Sequence, residues 1–406
     1  MHILLVHQAF AALDEAGGTR HHEMARYLAA RGHQVTVIAS PVSYLTGTRR
    51  GRVKWVDRQT DGPQITILRT YTYSALHRSF IHRVISFLSF MLSSFWVGLT
   101  VRNVDLVWGT SPPIFQGVTA WALARLKRVP FLFEVRDLWP AFAIAVGVLK
   151  DPFLVKASLW LEGFLYRRAD RVMVNSPGYI DHVLAHGARW VELIPNGADP
   201  DMFDAAGTGT EFRERYGLDG KFVVLYAGAH GMSNDLNVVL DAARQLRDEK
   251  QFCFLLLGDG KEKPALIARA QEQGLKNVLF LPPVPKKEMP QALAASDACV
   301  AILKAIPLYA TTYPNKVFDY MAAGRPVLLA IDGVIRKVVE EAGAGIAVCP
   351  GDAGSLANAV RWLAAQPDRG RSMGQSGRRY VQQHFNRADL SLKLALLLED
   401  LRWNHG

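Results

Sequence analysis

His2-Ile-Leu-Leu-Val6 opens the chain, and a loop with Gly17-Gly18, a helical pattern over residues 21–31 and the run Gln34-Val-Thr-Val-Ile38 follow it. Short apolar runs of this kind predict buried strands, and Gly32 is a typical end for the helix. A strand–helix–strand order is the βαβ unit from which parallel sheets are built. The opening stretch therefore predicts a doubly wound α/β fold.

The same alternation continues to the end of the chain and restarts once. Further strands are predicted at residues 106–108, 131–134, 172–174, 191–194, 222–226, 252–257, 278–281, 298–303 and 327–330. The turn cluster Ile194-Pro-Asn-Gly-Ala-Asp-Pro200 precedes the restart, which predicts two Rossmann-like domains over 1–200 and 201–386, facing across a cleft. The last helix, about 387–403, has a strongly apolar face, and we expect it to pack back on the first domain.

Composition narrows the class of protein. The chain has 406 residues, of which 50% are hydrophobic and 21% charged, so disorder is excluded as its main state. Its three cysteines are far apart and form no Cys/His cluster, which argues against disulfides and a zinc site and fits a reducing cytoplasm. Residues 1–200 hold 22 Lys+Arg and 14 Asp+Glu, a net of +8 out of +10 for the whole chain. This excess predicts a phosphate-bearing partner: nucleic acid, anionic lipid or a phosphorylated substrate.

One segment, Val84–Val101, is apolar and about long enough to cross a membrane. A polar stripe runs along it and just before it, at Ser79, His82, Ser86, Ser89 and Ser93. The stripe indicates an amphipathic helix over Phe80–Val101, either buried in the core or lying in a membrane surface, rather than a true span. Upstream cations at Arg49, Arg50, Arg52 and Lys54 favour the surface. No cationic leader precedes the first strand, so a secretory signal is not expected.

The stretch Thr311-Thr-Tyr-Pro-Asn-Lys-Val-Phe-Asp-Tyr-Met-Ala-Ala-Gly-Arg-Pro-Val327 predicts an anion site. Pro314 suits a first helical position and Gly324 the residue after a helix, so the helix spans about 314–323. Its free N–H groups would bind an anion, and Lys316 would add a cation. A nucleotide would then place its diphosphate on the helix start and its ribose near Asp319. An ordinary capped helix before a buried strand is the alternative.

Three more stretches are candidates for the same site or a neighbouring one. Gly258-Asp-Gly260 follows a strand, with Lys263 placed to reach back over the loop, although a solvated lysine would fit as well. Gly17-Gly18 allows close backbone approach to a ligand or simply makes a tight turn. Glu134-Val-Arg-Asp-Leu-Trp-Pro140 places charges beside Trp139 at a strand end, which indicates either catalysis or a structural ion pair. Asp199-Pro-Asp201 lies in a turn cluster and is discounted as a metal motif.

Together, these residues resemble the family-four retaining glycosyltransferases of the GT-B fold. The similarity is greatest to the bacterial subgroup that builds O-antigen, capsule and exopolysaccharide, including N-acetyl-fucosamine transferases. It covers nearly the whole chain and depends on five motifs. These are Gly17-Gly18, Asp137-Leu-Trp-Pro140, Ile194-Pro-Asn-Gly-Ala-Asp199, Gly258-Asp-Gly260 with Lys263, and Asp319-Tyr-Met-Ala-Ala-Gly-Arg-Pro-Val327.

The resemblance implies a sugar transfer with retention from a nucleotide-sugar, with UDP as the expected nucleotide and no metal or other cofactor. The donor would bind mainly to the second domain, and the acceptor mainly to the first. The basic residues 49–54 and the amphipathic helix indicate a membrane-borne acceptor, for which a polyprenyl-diphosphate-linked sugar is the natural candidate; a saccharide is the other candidate. The candidate catalytic residues are Glu134, Arg136 and Asp137. The candidate donor-binding residues are Gly17, Gly18, Gly228, Lys263, Val284, Thr311, Pro314, Asn315, Lys316 and Asp319. We expect the protein to be cytoplasmic and peripheral, on an anionic membrane surface at the inner face of the cell membrane, without a nucleic-acid partner.

The sequence departs from the family pattern at four positions. Two alternative functions are also compatible with the sequence. The first glutamate of the family's E-x7-E motif falls at Thr311, and the second is shortened to Asp319. An arginine of the second domain falls at Ala229, and the histidine before Asp137 falls at Arg136. A nucleotide-sugar 2-epimerase of the same fold, which would recruit His230 and Glu134, and a degenerate binding-only protein are the alternatives.

Overall fold

The chain divides into two compact units. The structure is a computed structural model that describes residues 1–43, 45–74, 80–204 and 207–403. The first unit comprises Met1–Ala12, Gly17–Pro195 and Ala388–Gly406, and the second comprises Leu13–Ala16 and Asn196–Arg387. Each unit is built on one sheet, which is the α/β organisation predicted from the alternating apolar runs.

The first unit has an eight-stranded sheet in the order β3-β4-β2-β1-β5-β6-β7-β8. Its strands are β1 (His2–Val6), β2 (Gln34–Ala39), β3 (Val56–Asp61), β4 (Ile65–Thr70), β5 (Leu106–Ser111), β6 (Phe131–Val135), β7 (Arg171–Val174) and β8 (Val191–Leu193). All pairs are parallel except β3 with β4. Its helices are α1 (Arg20–Ala30), α2 (Phe80–Thr100), α3 (Phe115–Lys127), α4 (Ala141–Ala145), α5 (Pro152–Arg168) and α6 (Ile180–Ala185).

The second unit has a six-stranded, wholly parallel sheet in the order β11-β10-β9-β12-β13-β14. Its strands are β9 (Phe222–Ala227), β10 (Phe252–Leu257), β11 (Val278–Leu281), β12 (Ala298–Ile302), β13 (Val327–Ala330) and β14 (Gly345–Ala347). Its helices are α7 (Thr210–Tyr216), α8 (Leu236–Gln245), α9 (Lys263–Glu272), α10 (Met289–Ala294), α11 (Asn315–Ala322), α12 (Val334–Glu341), α13 (Ala353–Ala365) and α14 (Pro367–His384).

The last helix, α15 (Arg387–Trp403), supplies part of the core of the first unit. Leu390, Leu394, Leu398 and Leu401 are buried with apolar residues of β1, β2 and β5. The polar side of the helix is tied to the same unit, because Lys393 Nζ donates to Leu193 O at 2.9 Å and Arg402 pairs with Asp105 at 3.0 Å. The chain therefore returns to its first unit after completing the second.

Helix α2 buries its polar face and exposes its apolar face, the reverse of an ordinary surface helix. Its serines face the protein: Ser86, Ser93 and Ser94 are buried, and Ser93 Oγ donates to Tyr71 O at 2.6 Å. The exposed large side chains of α2 are apolar, and they are Ile81, Ile85, Leu88, Leu92, Trp96 and Leu99. By length and composition alone, Ile81–Thr100 could cross a membrane, and it is the one helix in the described part of the chain that could. Ser79 of the predicted stripe lies outside the described residues.

The structure adds three strands that the apolar pattern did not predict: β3, β4 and β14. The sequence of β3, Val-Asp-Arg-Gln-Thr-Asp, is polar because this strand lies at the sheet edge with its middle residues exposed. Strand β14 is only three residues long and also lies at an edge. Edge strands bury little side-chain surface, so they leave a weak hydrophobic signal.

Candidate active site

The carboxyl ends of β9 and β10 and the start of α11 meet at one edge of the second sheet. Lys316, in the first turn of α11, donates from Nζ to the Tyr226 hydroxyl at 2.8 Å and lies 4.0 Å from the centre of that ring. Gly228 follows β9, and a Cβ there would come within 3.0 Å of Lys316 Nζ. The absence of a side chain at Gly228 thus makes space for the Lys316 ammonium group.

Lys263 lies beside the next loop. Its Nζ donates to Gly258 O at 2.7 Å and to Leu281 O at 2.9 Å, which are the backbone positions where β10 and β11 end. Gly258 has a φ of +151°, and a Cβ there would meet the Gly228 carbonyl oxygen, so this crossing of two loops requires glycine. Lys263 is therefore held at the strand edge instead of extending into solvent.

His230 completes this group, which we call the edge cluster: Gly228, His230, Gly258, Lys263 and Lys316. The imidazole is completely buried, and neither ring nitrogen has a hydrogen-bond partner among the described residues. Burial, with the charges of Lys263 and Lys316, lowers its pKa to about 4, so it is neutral at pH 7. No local sequence signal reveals that His230 lies beside the two lysines, because that closeness depends on the loop crossing.

The edge cluster concentrates positive charge in a low-dielectric setting. Burial lowers the pKa of Lys316 to about 7, which means that its charged form is poorly stabilised by its present partners. Burial also lowers the pKa of Lys263, although Asp259 opposes that shift. Because Lys316 lies in the first turn of α11, the helix dipole disfavours its charge further. An anion bound here would stabilise both ammonium groups.

Asp319 lies one turn further along α11 and has a partner that the sequence did not reveal. Its Oδ2 is 2.6 Å from Lys286 Nζ and 3.3 Å from Asn315 Nδ2. Asn315 Oδ1 in turn accepts from Arg387 at 3.1 Å. This carboxylate is thus held in place by polar groups at the same helix start, within reach of a ligand that binds there.

The helix start itself differs slightly from the prediction. Helix α11 begins at Asn315, and Pro314 is the extended residue before it instead of the first helical residue. Thr311 closes a 3-10 turn, Pro307–Thr311, and its hydroxyl donates to Leu308 O at 2.7 Å. Val284 packs against the apolar core of the second unit. These contacts are made within the protein, so they do not test whether Thr311 and Val284 bind the donor, and both roles stay predictions.

In the first unit, Glu134 at the end of β6 is the centre of a buried network. The carboxylate is paired with Arg20 and accepts from His21 Nε2 at 2.7 Å and Trp108 Nε1 at 3.1 Å. Burial acts to raise its pKa, but Arg20 and the hydrogen-bonded His21 outweigh burial and lower the pKa of Glu134 to about 2. The predicted Glu134–Arg136–Asp137 ion pair does not form. Complete burial favours a positioning role for Glu134 over contact with a substrate.

Arg136 and Asp137 follow the same strand and are both partly exposed. The Arg136 guanidinium donates to Pro112 O, and its backbone N–H donates to Ser111 O at 2.9 Å. Burial raises the pKa of Asp137 to about 6, against the opposing charge of Arg136. A carboxyl group that is near its pKa at neutral pH can hold or accept a proton, which suits a group that orients a hydroxyl.

The loop before α1 has an open face. Gly17 has a φ of +150°, and a Cβ there would lie 3.0 Å from Ala11 Cβ. A Cβ on Gly18 would meet no atom within 4 Å. Of the two predicted glycines, Gly17 is therefore required by the turn, and Gly18 leaves its backbone accessible.

Two protein families match the chain. The family described as "Glycosyl transferase 4-like domain" matches residues 16–197, and the family described as "Glycosyl transferases group 1" matches residues 221–366. The glycosyl transferase WcaI of Escherichia coli, named for colanic acid biosynthesis, is 26% identical over 339 residues, which are 80% of this chain and 83% of WcaI. The TuaH glycosyltransferase of Bacillus subtilis, named for teichuronic acid biosynthesis, is 24% identical over 55% of this chain and 54% of its own length.

Solved glycosyltransferase structures share the fold. Sucrose-phosphate synthase from Thermosynechococcus elongatus has a TM-score of 0.77 at 21% identity and covers 98% of both chains. HepE of Anabaena, solved in complex with UDP and glucose, has a TM-score of 0.74 at 18% identity and covers 98% of this chain and 100% of its own. The expected two-domain α/β fold is confirmed by these similarities.

The raised pKa of Asp137 predicts a pH-dependent stability change in Asp137→Asn. At pH 8 the native carboxylate is ionised at a cost, so the variant should be more stable by as much as about 3 kcal/mol. The folded-state pKa lies above the unfolded value, so this gain should shrink as pH falls from 6 to 4, where the folded carboxyl takes up its proton. Urea unfolding followed by tryptophan fluorescence measures this, because all tryptophans except Trp362 belong to the first unit.

The exposed Asp181→Asn in the same unit is the matched control for the loss of a charge. A stabilisation of Asp137→Asn that is equal at pH 4.5 and pH 8 would contradict the assigned burial of this carboxyl.

Proposed function

Because the chain is a glycosyltransferase of the GT-B fold, we propose that it transfers a sugar with retention from a UDP-sugar to a lipid-linked or saccharide acceptor in cell-surface polysaccharide biosynthesis. The sugar would be a hexose or an N-acetylamino sugar. The names of WcaI and TuaH support the pathway class, and the UDP and glucose bound to HepE support the donor class. The observation that carries the proposal is the edge cluster, in which two partly buried ammonium groups lie at one sheet edge: Lys316 at the start of α11 and Lys263 at the start of α9.

The donor diphosphate would bind at the edge cluster. Lys316 and Lys263 are both held against backbone or hydroxyl oxygens, so their positions are fixed before a ligand arrives. The free N–H groups of α11 add further donors for phosphate oxygens. The neutral His230 lies behind these groups, and its complete burial favours a positioning role for it, as for Glu134. Preorganised donors of this kind need little rearrangement, which makes them effective in stabilising developing charge.

The ribose would bind next to Asp319. A carboxylate paired with Lys286 still offers lone pairs to hydroxyl groups, and the pair fixes its orientation. Asp319 is one methylene shorter than glutamate, and its ion pair with Lys286, at 2.6 Å, holds the shorter side chain in place. The Lys286–Asp319 pair thus provides a rigid hydroxyl acceptor one helical turn from the diphosphate site.

The transfer step would need no metal at the donor. The bond from the anomeric carbon to the diphosphate oxygen breaks, and negative charge develops on the diphosphate, where Lys316, Lys263 and the helix dipole stabilise it. The acceptor oxygen forms its bond to the anomeric carbon on the same face of the sugar, and its proton passes to a phosphate oxygen of the leaving group. Arg136 and Asp137 would position the acceptor, and full transfer activity in Asp137→Asn would exclude that role.

The acceptor would be presented at an anionic membrane surface. The exposed apolar row on α2 has the spacing of one helix face, from Ile81 to Leu99, and Trp96 is 59% exposed. The basic residues Arg50, Arg52 and Lys54 lie on the loop before β3. They line a cavity together with Asp57 and the buried Arg69 of β4. Arg49 links this loop to the chain leading into α2, because its guanidinium donates to Thr72 O and lies over the Tyr71 ring.

An apolar helix face flanked by cations is typical of proteins that lie on anionic bilayers. A polyprenyl-diphosphate-linked sugar has both features of a matching acceptor, an apolar tail and an anionic head. This arrangement supports a cytoplasmic protein that is peripheral on the inner face of the cell membrane. The 2-epimerase alternative is not favoured, since Glu134 is held by Arg20 and His21 and the relatives named above are transferases.

The lowered pKa of Lys316 predicts that UDP binding takes up a proton. A bound diphosphate favours the ammonium form, so the affinity for UDP should fall between pH 7.5 and pH 9, by as much as about tenfold per pH unit. Lys316→Met should bind UDP weakly and lose this component of the pH dependence. Titration calorimetry in buffers of different ionisation enthalpy measures both the affinity and the proton uptake.

Lys337→Met, an exposed lysine of the same unit, is the matched control and should behave as the parent chain does. Unchanged affinity and unchanged proton uptake in Lys316→Met would exclude Lys316 from the donor site.

The exposed face of α2 predicts membrane binding. The protein should co-sediment with vesicles that contain anionic lipid at low salt, and less with neutral vesicles at high salt, because both the apolar face and the cations contribute. The double variant Leu92→Ser/Trp96→Ser should lose most of this binding. Leu396→Ser, on the exposed side of α15, serves as the control.

Equal sedimentation of the double variant and the parent chain would contradict the assignment of α2. Equal binding to neutral vesicles at high salt would remove the electrostatic contribution. A dimer that the same double variant dissociates, without any vesicle binding, would instead assign this face to a second copy of the chain.

A further inference from the structure

Helices α5 and α6 of the first unit bring together two histidines and a carboxylate that the proposed sugar transfer does not use. Glu162 of α5 is completely buried, and its Oε1 is 2.9 Å from both the Tyr166 hydroxyl and His182 Nε2. Its other oxygen, Oε2, is buried and has no hydrogen-bond partner within the part of the chain that the structure describes. A buried oxygen left without a partner is costly, which indicates that something further binds this carboxylate.

His182 and His186 lie one helical turn apart, and their rings stack with centroids 4.0 Å apart. One ligand atom from each of Glu162, His182 and His186 lies within 4.8 Å of the other two. His186 Nδ1 is 2.8 Å from His182 O, so we assign the ring proton to Nδ1 and the lone pair to Nε2. The three side chains therefore offer two imidazole nitrogens and a carboxylate to one small volume.

This donor set matches the preferences of a divalent transition-metal ion. Zn²⁺ binds to histidine nitrogen and carboxylate oxygen, and two histidines with one glutamate leave a fourth position for water. The outer contacts are also those of metal sites, because the second ring nitrogen of His186 is bonded to a backbone carbonyl and the carboxylate accepts from Tyr166. Arg167, an exposed residue, packs its guanidinium beside Gly163 and Gly187.

The topology separates this cluster from the candidate active site. Helix α6 follows the carboxyl end of β7 and runs back toward the amino ends of the strands, so His186 lies away from the edge where Arg136 and Asp137 lie. A metal ion here would join α5 to α6 and stabilise the folded first unit. The absence of a Cys/His cluster in the sequence does not exclude this site, because its carboxylate ligand, Glu162, lies 20 residues before His182.

We propose that Glu162, His182 and His186 form a structural binding site for one divalent transition-metal ion, with Zn²⁺ as the best match. The ion replaces the hydrogen bond between His182 and Glu162 by two metal–ligand bonds and gives Oε2 a partner. The site is independent of the proposed sugar transfer.

The test is a Zn²⁺ titration of the full chain, without an affinity tag and after metal removal, in competition with a chromophoric chelator. We expect one tight equivalent and a rise in the melting temperature upon its binding. His186→Asn should weaken this equivalent at least tenfold, and Tyr166→Phe, which removes an outer contact, by about 10–100-fold. Co²⁺ in place of Zn²⁺ should give visible absorption that His186→Asn abolishes.

His33→Asn is the matched control, because His33 also contacts a carboxylate, Glu399 at 3.2 Å, in the same unit. This variant should bind Zn²⁺ as the parent chain does. Equal Zn²⁺ affinity of the parent chain and the double variant His182→Asn/His186→Asn would overturn the proposal. The histidine variants suffice for this test, because His186 is partly exposed and its replacement leaves the buried Glu162 in place.

UDP binding, measured with and without Zn²⁺, tests the donor site independently of the metal site. UDP binding by the metal-free protein at 25 °C should equal that of the Zn²⁺-loaded protein, because the two sites belong to different units. Loss of UDP binding upon metal removal would show that the ion is not merely structural and would overturn the stated role.

Discussion

The chemistry proposed for this protein depends on a partly buried ammonium group, that of Lys316, whose described partners are neutral oxygens. Lys316 Nζ contacts the Tyr226 hydroxyl and, at 3.5 Å, Asn234 Oδ1, and it lies at the positive end of a helix. Neither contact offsets the loss of hydration, which is why burial lowers the pKa of Lys316 to about 7. Folding has already removed water from this ammonium group, so a bound anion offsets that desolvation free energy. The diphosphate of a sugar donor is an anion of suitable charge.

The close crossing of the loops after β9 and β10 fixes the surroundings of the Lys316 ammonium group. Gly228 and Gly258 approach each other so closely that a side chain on Gly258 would overlap the Gly228 carbonyl. Lys263 then binds the ends of β10 and β11 from the same side. In the first unit, the equivalent rigidity comes from Glu134, which ties Arg20 and His21 of α1 to the end of β6. Each unit thus holds its candidate residues at the carboxyl edge of its own sheet, where α/β proteins bind ligands.

The sequence predicted the central strands well and the contacts at the sites poorly, for one physical reason. Buried strands such as Phe252–Leu257 are continuous apolar runs, and their signal is local. The Lys286–Asp319 pair, the burial of His230 and the approach of Glu162 to His182 join residues that are distant in sequence. The orientation of α2 was open for a related reason. The pattern shows which residues share a face, and only the packing of Ser93 against Tyr71 shows that the polar face is the buried one.

The most direct test of the account is thermal unfolding with a panel of nucleoside diphosphates in the presence of a chelator. One diphosphate should stabilise the protein by about 2.7 kcal/mol at a hundredfold excess over its Kd, and the corresponding monophosphate should stabilise it less. The stabilisation should be lost in Asp319→Ala. A protein that no diphosphate stabilises under these conditions would contradict metal-free binding of the donor by the second unit.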